Sequence, residues 1–138
     1  MSAKTASPEE VQSLVAEGYA YVDVRTEAEF DSGHPPGAFN VPVTLAGAPN
    51  PEFVAVVERA FGKDAKLVLG CKAGPRSHRA AELLTAAGFT DLVEMPAGMA
   101  GGRDAFGRVL PGWAQSGLPV ETGAPAGQRY SDVKARER

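Results

Sequence analysis

A strand, a short loop and a helix, read from residues 66–89, constrain the fold of this chain more than any other stretch. The apolar run at 67–69 is typical of a buried strand, and SHRAAELLTAAG is typical of a helix with one apolar face that ends at Gly88. Residues 71–76 make the whole turn between them, and Ser77 is placed to cap the helix. Such units build open α/β sheets, which bind ligands at the carboxyl ends of their strands.

Cys71, the only cysteine of the chain, ends this strand and opens the loop. A helix N-terminus directs backbone N–H groups at the centre of such a loop, and Lys72 and Arg76 add positive charge. Both effects favour the thiolate, which is the nucleophilic form of cysteine. The alternative is a small buried core residue. We favour the reactive role, because a core cysteine would not usually precede a Gly-Pro turn flanked by two cations.

Strands and helices alternate along most of the chain. The sequence Ser7-Pro8-Glu9-Glu10 predicts a helix start with a capping box, and Thr26 or Arg25 is expected to begin a second helix. Short connections between alternating elements predict an α/β fold with a mostly parallel central sheet of about five strands and helices on both faces. The remaining predicted elements are strands at 19–24, 38–41, 67–69 and 91–95, a helix from Asn50-Pro51 that ends at Gly62, and a short helical turn at 113–115.

Composition excludes several classes of protein. With 138 residues, the chain is expected to form one domain over residues 6–122, followed by a polar tail at 123–138 whose order stays open. A net charge of −3 gives no electrostatic case for nucleic acid or a membrane surface. One cysteine and two distant histidines offer neither a disulfide nor a zinc pattern, and we expect no cofactor. The N-terminal residues lack the apolar core of a signal peptide, so a reducing cytoplasm is the expected location.

Several motifs, taken together in this order and spacing, resemble the single-domain rhodaneses, or thiosulfate sulfurtransferases. The resemblance covers roughly residues 6–122. It rests on VDVR at 22–25 with Glu29-Phe30, on GHPPGA at 33–38 leading to NVP at 40–42, on the loop 71–76 with Ser77, and on Trp113 with GLPVE at 117–121.

The resemblance implies transfer of a sulfane sulfur from thiosulfate or a similar donor to cyanide or a thiol, through a persulfide on Cys71. Asp23 and Arg25, at the carboxyl end of a strand, could line the pocket, but the resemblance implies that they are mainly structural. His34, bounded by glycine and proline, is expected to hold its own loop, and Trp113 is expected to pack against the sheet. The substrate-binding set would be the backbone N–H groups of Lys72, Ala73, Gly74, Arg76 and Ser77, with the Arg76 fork and the Lys72 charge available to an anionic donor.

Two departures from the family pattern accompany these motifs. Pro35 stands where an aliphatic residue is usual, and the segment 98–112 is longer than the usual link to the tryptophan. The longer segment, which contains Arg103, Asp104, Phe106 and Arg108, either borders the site and shapes acceptor choice or forms a surface loop.

Two other functions stay open at this point. A phosphatase or arsenate reductase of related fold uses a Cys-x5-Arg loop, whereas only four residues separate Cys71 from Arg76 here. A loop with one residue fewer forms a narrower ring around its ligand, which suits a sulfur atom rather than a tetrahedral oxyanion. A non-catalytic binding or regulatory module would usually lack the cysteine. The sequence indicates neither the physiological donor and acceptor nor the oligomeric state.

Overall fold

A five-stranded parallel sheet forms the centre of the computed structural model, which describes residues 3–104 and 106–136. Its strands run over Lys4–Thr5 (β1), Ala20–Asp23 (β2), Phe39–Asn40 (β3), Leu67–Gly70 (β6) and Leu92–Met95 (β7). In spatial order they are β1, β7, β6, β2 and β3, and every pairing is parallel. The predicted α/β fold with a mostly parallel sheet is therefore confirmed.

Five α-helices cover the two faces of this sheet among the described residues. They run over Pro8–Ala16 (α1), Glu27–Ser32 (α2), Phe53–Phe61 (α3), Pro75–Ala86 (α4) and Tyr130–Ala135 (α5), and a 3-10 helix spans Ala114–Ser116. The starts of α1 and α2 follow the sequence: Ser7 and Thr26 are their N-caps, and each forms a capping box with the glutamate three residues later.

The side chains of the strands alternate between two hydrophobic clusters, as the pleat of a strand requires. On one face, Val22, Leu67 and Leu69 pack with buried residues of α3, α4 and α5. On the other face, Tyr21 and Val68 pack with α1, α2 and Trp113. Strands buried on both sides explain why the sequence shows continuous apolar runs here rather than alternation.

Two small antiparallel hairpins lie outside the central sheet. Thr44–Leu45 (β4) pairs with Ala48–Pro49 (β5), and Gly102–Arg103 (β8) pairs with Val109–Leu110 (β9). The sequence predicted neither hairpin, because two-residue strands show no measurable periodicity. The edge strand β1 was missed for the same reason, and α3 begins at Phe53 rather than directly at Asn50-Pro51.

The expectation of a polar tail after residue 122 needs correction over its described part. Helix α5 occupies this segment, and its residues Tyr130 and Val133, one turn apart, are buried in the cluster on the α3 side. The Tyr130 hydroxyl accepts a hydrogen bond from Asn50 Nδ2 at 3.0 Å, and Arg59 Nη2 donates to Lys134 O at 2.7 Å. A six-residue helix gains its stability from such packing rather than from its own propensity, which is why sequence pattern alone did not predict it.

Over residues 3–104 and 106–136, none of the helices combines the length and the apolar character that a membrane span requires.

Candidate functional site

The candidate site lies where β6 ends and α4 begins, at the carboxyl edge of the sheet. Strand β6 ends at Gly70, Cys71 follows, and α4 begins at Pro75 with Gly74 as its N-cap. The prediction that Ser77 caps this helix was wrong: Ser77 is the third helical residue. Proline fixes a helical φ and suits the first position, so the helix begins earlier than a serine cap would allow. The loop proper is therefore shorter than predicted, and Arg76 belongs to the helix.

Cys71 is a free cysteine with only 1% of its surface exposed. The backbone N–H of Gly74 donates to its Sγ at 3.1 Å. The thiol lies 3.6 Å from Ser77 Oγ, and that hydroxyl donates to Gly74 O at 2.9 Å. The sulfur therefore sits over the first turn of α4, in contact with both a backbone donor and a side-chain hydroxyl.

Gly74 is required in this loop for two reasons. Its φ of 112° lies in a region that residues with a Cβ rarely adopt, and a Cβ there would lie 2.8 Å from Pro96 O. The chain can turn toward the sulfur and place the N–H group on it only with glycine at this position.

Of the five backbone donors expected around the sulfur, Gly74 is the one whose N–H bonds Sγ. The N–H groups of Arg76 and Ser77 lie in the first turn of α4, where helix geometry supplies no backbone acceptor. Lys72 and Ala73 are exposed residues of the loop. Of the five predicted residues, Gly74 contacts Sγ through its backbone N–H, and Ser77 contacts it through a side-chain hydroxyl that the sequence did not predict.

The Arg76 side chain makes a contact that differs from the one expected. Its guanidinium is bidentate with Glu29 of helix α2, with Nη1–Oε1 at 2.6 Å and Nη2–Oε2 at 2.9 Å. Hydrogen bonds from Arg76, followed by those from Thr26, outweigh burial and lower the pKa of Glu29 to about 2. The two fork nitrogens expected to hold donor oxygens therefore hold a carboxylate of the chain itself.

Sequence reasoning missed Glu29 as a residue of the site. The signal was present, because Glu29 is the third residue of a capping box that follows a strand of the sheet. Its Oε1 accepts hydrogen bonds from Thr26 N at 3.1 Å and Thr26 Oγ1 at 3.0 Å while it also binds Arg76. One carboxylate thus caps α2 and ties it to the first turn of α4.

The residues expected to hold loops and packing make buried contacts of that kind. Arg25 and Asp23 form a buried ion pair with Nη2–Oδ2 at 2.7 Å, and Arg25 Nη2 donates to Gly33 O at 2.6 Å. His34 is fully buried, with ring nitrogens 2.8 Å from Phe30 O and 3.0 Å from Glu121 Oε1. Trp113 is 3% exposed and donates through Nε1 to Pro119 O at 2.7 Å.

The longer segment 98–112 borders the site. Met99 N donates to Cys71 O and Ala100 N donates to Lys72 O, both at 2.9 Å. Beyond these anchors the chain forms the hairpin β8–β9, and Arg103 and Val109 line a recess together with Ala73 of the loop. Lys72 and Met99 line a second recess with Arg25 and Glu29.

Cys71 is buried in the cluster on the α3 side, as the core alternative expected, but its sulfur also accepts a backbone N–H at the start of a helix. A thiol in that position is suited to covalent catalysis at an electrophilic sulfur. Among the residues that the structure describes, no cluster of histidine, cysteine and carboxylate side chains could hold a metal ion.

Comparisons with known proteins agree with this site and fold. A family model described as Rhodanese-like domain matches residues 7–105. The chain is 37% identical over 112 residues to "Thiosulfate sulfurtransferase 16, chloroplastic" of Arabidopsis thaliana, which covers 78% of this chain and 84% of that protein. It is 38% identical over 114 residues to "Rhodanese-like domain-containing protein 15, chloroplastic" of the same plant, with 80% of this chain and 57% of the relative covered. The chain thus spans little more than half of that second relative.

A solved structure gives the same result. The crystal structure of Rv0390 from M. tuberculosis matches with a TM-score of 0.71 and 28% identity, over 89% of this chain and 100% of that one. The family model covers the strand that ends at Asp23, the loop around His34 and the whole loop from Cys71 to Gly74, which are parts that build the candidate site or pack beside it. By sequence motifs, fold and site together, this chain belongs to the rhodanese-like domain family.

Proposed function

We propose that this protein is a sulfurtransferase that carries a sulfane sulfur on Cys71, between a donor such as thiosulfate or a persulfide and an acceptor that is cyanide or a thiol. The observation that carries the proposal is the position of Cys71 Sγ, at the end of β6 and 3.1 Å from the N–H of Gly74. The name of one relative, thiosulfate sulfurtransferase, supports the same activity.

The proposed reaction has two balanced steps. In the first, the Cys71 thiolate attacks the outer sulfur of thiosulfate, the sulfur–sulfur bond of the donor breaks, and sulfite leaves with the bonding electron pair. In the second, cyanide attacks the outer sulfur of the Cys71 persulfide, thiocyanate forms, and the thiolate returns. The N–H of Gly74 donates to Sγ and is placed to stabilise the anionic sulfur in both states. For the Ser77 hydroxyl to donate to the anionic sulfur, it would have to turn away from Gly74 O, to which it donates beside the thiol.

We assign the positive charge that attracts an anionic donor to Lys72. Its side chain is exposed and lines the recess beside the loop. Arg76 is held by Glu29, so we assign it first to fixing the loop, and its contact with donor oxygens would require the donor to displace that carboxylate. These roles of Lys72, Ala73, Gly74, Arg76 and Ser77 are proposals.

The alternatives fit the site less well. A phosphatase or arsenate reductase needs a guanidinium that faces the oxyanion, whereas the Arg76 fork is bidentate with Glu29. A non-catalytic module has no need for a cysteine aligned with a helix N-terminus, and Cys71 is present. A free thiol persists in a reducing compartment, and the cytoplasm stays our prediction. The word chloroplastic in the relatives' names describes those proteins.

Formation of thiocyanate from thiosulfate and cyanide tests the proposal. The wild-type protein should turn over, and Cys71→Ser should lose activity to the level of the uncatalysed reaction, because a serine hydroxyl does not ionise at neutral pH. Parallel assays with p-nitrophenyl phosphate and with arsenate plus a thiol should show no Cys71-dependent turnover. Turnover of phosphate or arsenate substrates without thiocyanate formation would overturn the proposed function, as would a Cys71→Ser variant near wild-type activity.

A further inference from the structure

The hairpin β8–β9 exposes large apolar side chains next to the cysteine loop. Phe106 is 84% exposed and Val109 is 67% exposed, the two highest values among the exposed large hydrophobic residues described. Single exposed apolar side chains are common on protein surfaces, whereas two large ones on one hairpin beside a candidate site form a patch that a partner can cover.

This hairpin is fixed to the loop that carries Cys71. The segment before it bonds Cys71 O and Lys72 O through Met99 N and Ala100 N. At the base of the hairpin, a Cβ on Gly102 would lie 3.0 Å from Ala73 O, so the two backbones are in close contact. A molecule bound to the hairpin is therefore held at a defined place relative to the sulfur.

The hairpin also carries positive charge on an acidic protein. The chain has a net charge of −3, whereas the hairpin contributes Arg103 and Arg108 against one carboxylate, Asp104. Arg108 Nε lies 2.7 Å from Asp104 Oδ2, but the arginine side chain is 74% exposed and the aspartate only 24%. The surface that a partner meets on the hairpin is therefore cationic and apolar.

The size of this surface selects a macromolecule. Val109 lines a recess with Ala73 of the loop, whereas Phe106 lies between Asp104 and Arg108, where the hairpin turns back. A ligand that contacts both places must extend along the hairpin, as a protein segment can.

We propose that the hairpin β8–β9 is the docking surface for a protein partner that presents carboxylates and an apolar side chain beside a cysteine of its own. The proposal rests on the proposed sulfur transfer and names the partner of that site. The partner's thiol attacks the outer sulfur of the Cys71 persulfide, the sulfur–sulfur bond breaks, Cys71 leaves with the electron pair and takes the thiol proton, and the partner holds the persulfide. A surface of this size predicts a transient, salt-sensitive encounter rather than a permanent complex.

Synthetic peptides test the docking surface separately from the chemistry. The acidic probe is a labelled peptide in which one serine, placed where the reactive cysteine would be, is flanked by glutamates and one leucine. The comparison probe has lysines in place of the glutamates. We expect the acidic probe to bind the wild-type protein at least roughly tenfold more tightly by fluorescence anisotropy, and added salt to weaken it.

The variant Phe106→Ser/Val109→Thr should weaken binding of the acidic probe at least roughly fivefold, since it removes the apolar part of the surface. The matched control is Leu45→Ser, which changes an exposed apolar residue on the other hairpin. Both side chains of the double variant are largely exposed, so both proteins are expected to fold. Equal binding of the two probes, or equal binding by the double variant and the control, would overturn the docking proposal.

The cysteine form of the acidic peptide then tests sulfur exchange. With this acceptor the double variant should lose the same factor in kcat/KM, while its thiocyanate formation with cyanide stays at the wild-type level. An unchanged rate with the peptide would count against docking at this hairpin. Absence of thiocyanate formation by the wild-type protein would instead overturn the proposed function, and the anisotropy experiment still decides the docking surface.

Discussion

Replacing Glu29 by glutamine isolates the ion pair that ties α2 to the first turn of α4. Glutamine can still accept the hydrogen bond from Thr26 N, so the capping box is kept and the charge on Arg76 loses its partner. A pKa lowered from 4.5 to about 2 sets an upper limit of about 3 kcal/mol on the stabilisation of Glu29 in the folded state. Because the two side chains keep 28% and 30% of their surface exposed, water screens the pair, and we expect Glu29→Gln to cost about 1–2 kcal/mol.

The dependence of this cost on pH gives the sharper test. The pKa of Glu29 is depressed in the folded state, so its stabilisation is fully present above the unfolded value near 4.5 and disappears as the pH falls toward about 2. Urea unfolding of both proteins should show a wild-type advantage at neutral pH that shrinks through this window. The matched control, Glu58→Gln, removes the carboxylate of a more exposed pair with Lys63 at 3.8 Å and should change stability little. An advantage that is absent at neutral pH, or undiminished at the lowest pH at which both proteins fold, would refute the reasoning.

Three further predictions concern single positions. Lys72→Gln should raise KM for thiosulfate about tenfold with little change in kcat, and KM should then depend less on the salt concentration. Lys63→Gln should change neither property, and an unchanged KM in Lys72→Gln would remove Lys72 from donor recruitment. Gly74→Ala should destabilise the protein by about 1–3 kcal/mol in urea unfolding and lower the rate of thiocyanate formation, because the φ of 112° at Gly74 and the close approach of Pro96 O exclude a Cβ. A variant with wild-type stability and rate would contradict this geometry. Val133→Ala should cost about 1–2 kcal/mol in the same unfolding assay, since Val133 is fully buried, and a negligible cost would show that α5 does not pack as described.

Much of the fold followed from local chemistry that the sequence displays. The Ser7 capping box, the apolar run that became β6, and the glycine that ends α3 each depend on neighbouring residues, so their positions were predicted to within a few residues. The buried contacts of Asp23, Arg25 and His34 agree with the loop-holding roles expected of them, from the resemblance for the first two and from the glycine and prolines around the histidine for the third.

The features that the sequence did not predict depend mainly on contacts between residues that are distant in sequence. The pairing of Arg76 with Glu29 joins positions 47 apart, and nothing near Arg76 indicates that its fork is occupied. Helix α5 was read as a tail because its stability comes from burial of Tyr130 and Val133 against residues far away in sequence. Ser77 was assigned to a cap because serine favours that position, but Pro75 starts the helix earlier and leaves the serine hydroxyl beside the sulfur.

The most direct test of sulfur transfer through Cys71 is the intact mass of the reduced, folded protein before and after thiosulfate, and again after cyanide. The account predicts a gain of one sulfur atom per chain that maps to Cys71, is lost on addition of cyanide with release of thiocyanate, and never forms on Cys71→Ser. A wild-type protein that gains no sulfur from thiosulfate or from a small-molecule persulfide, or that gains it at a residue other than Cys71, would contradict the account.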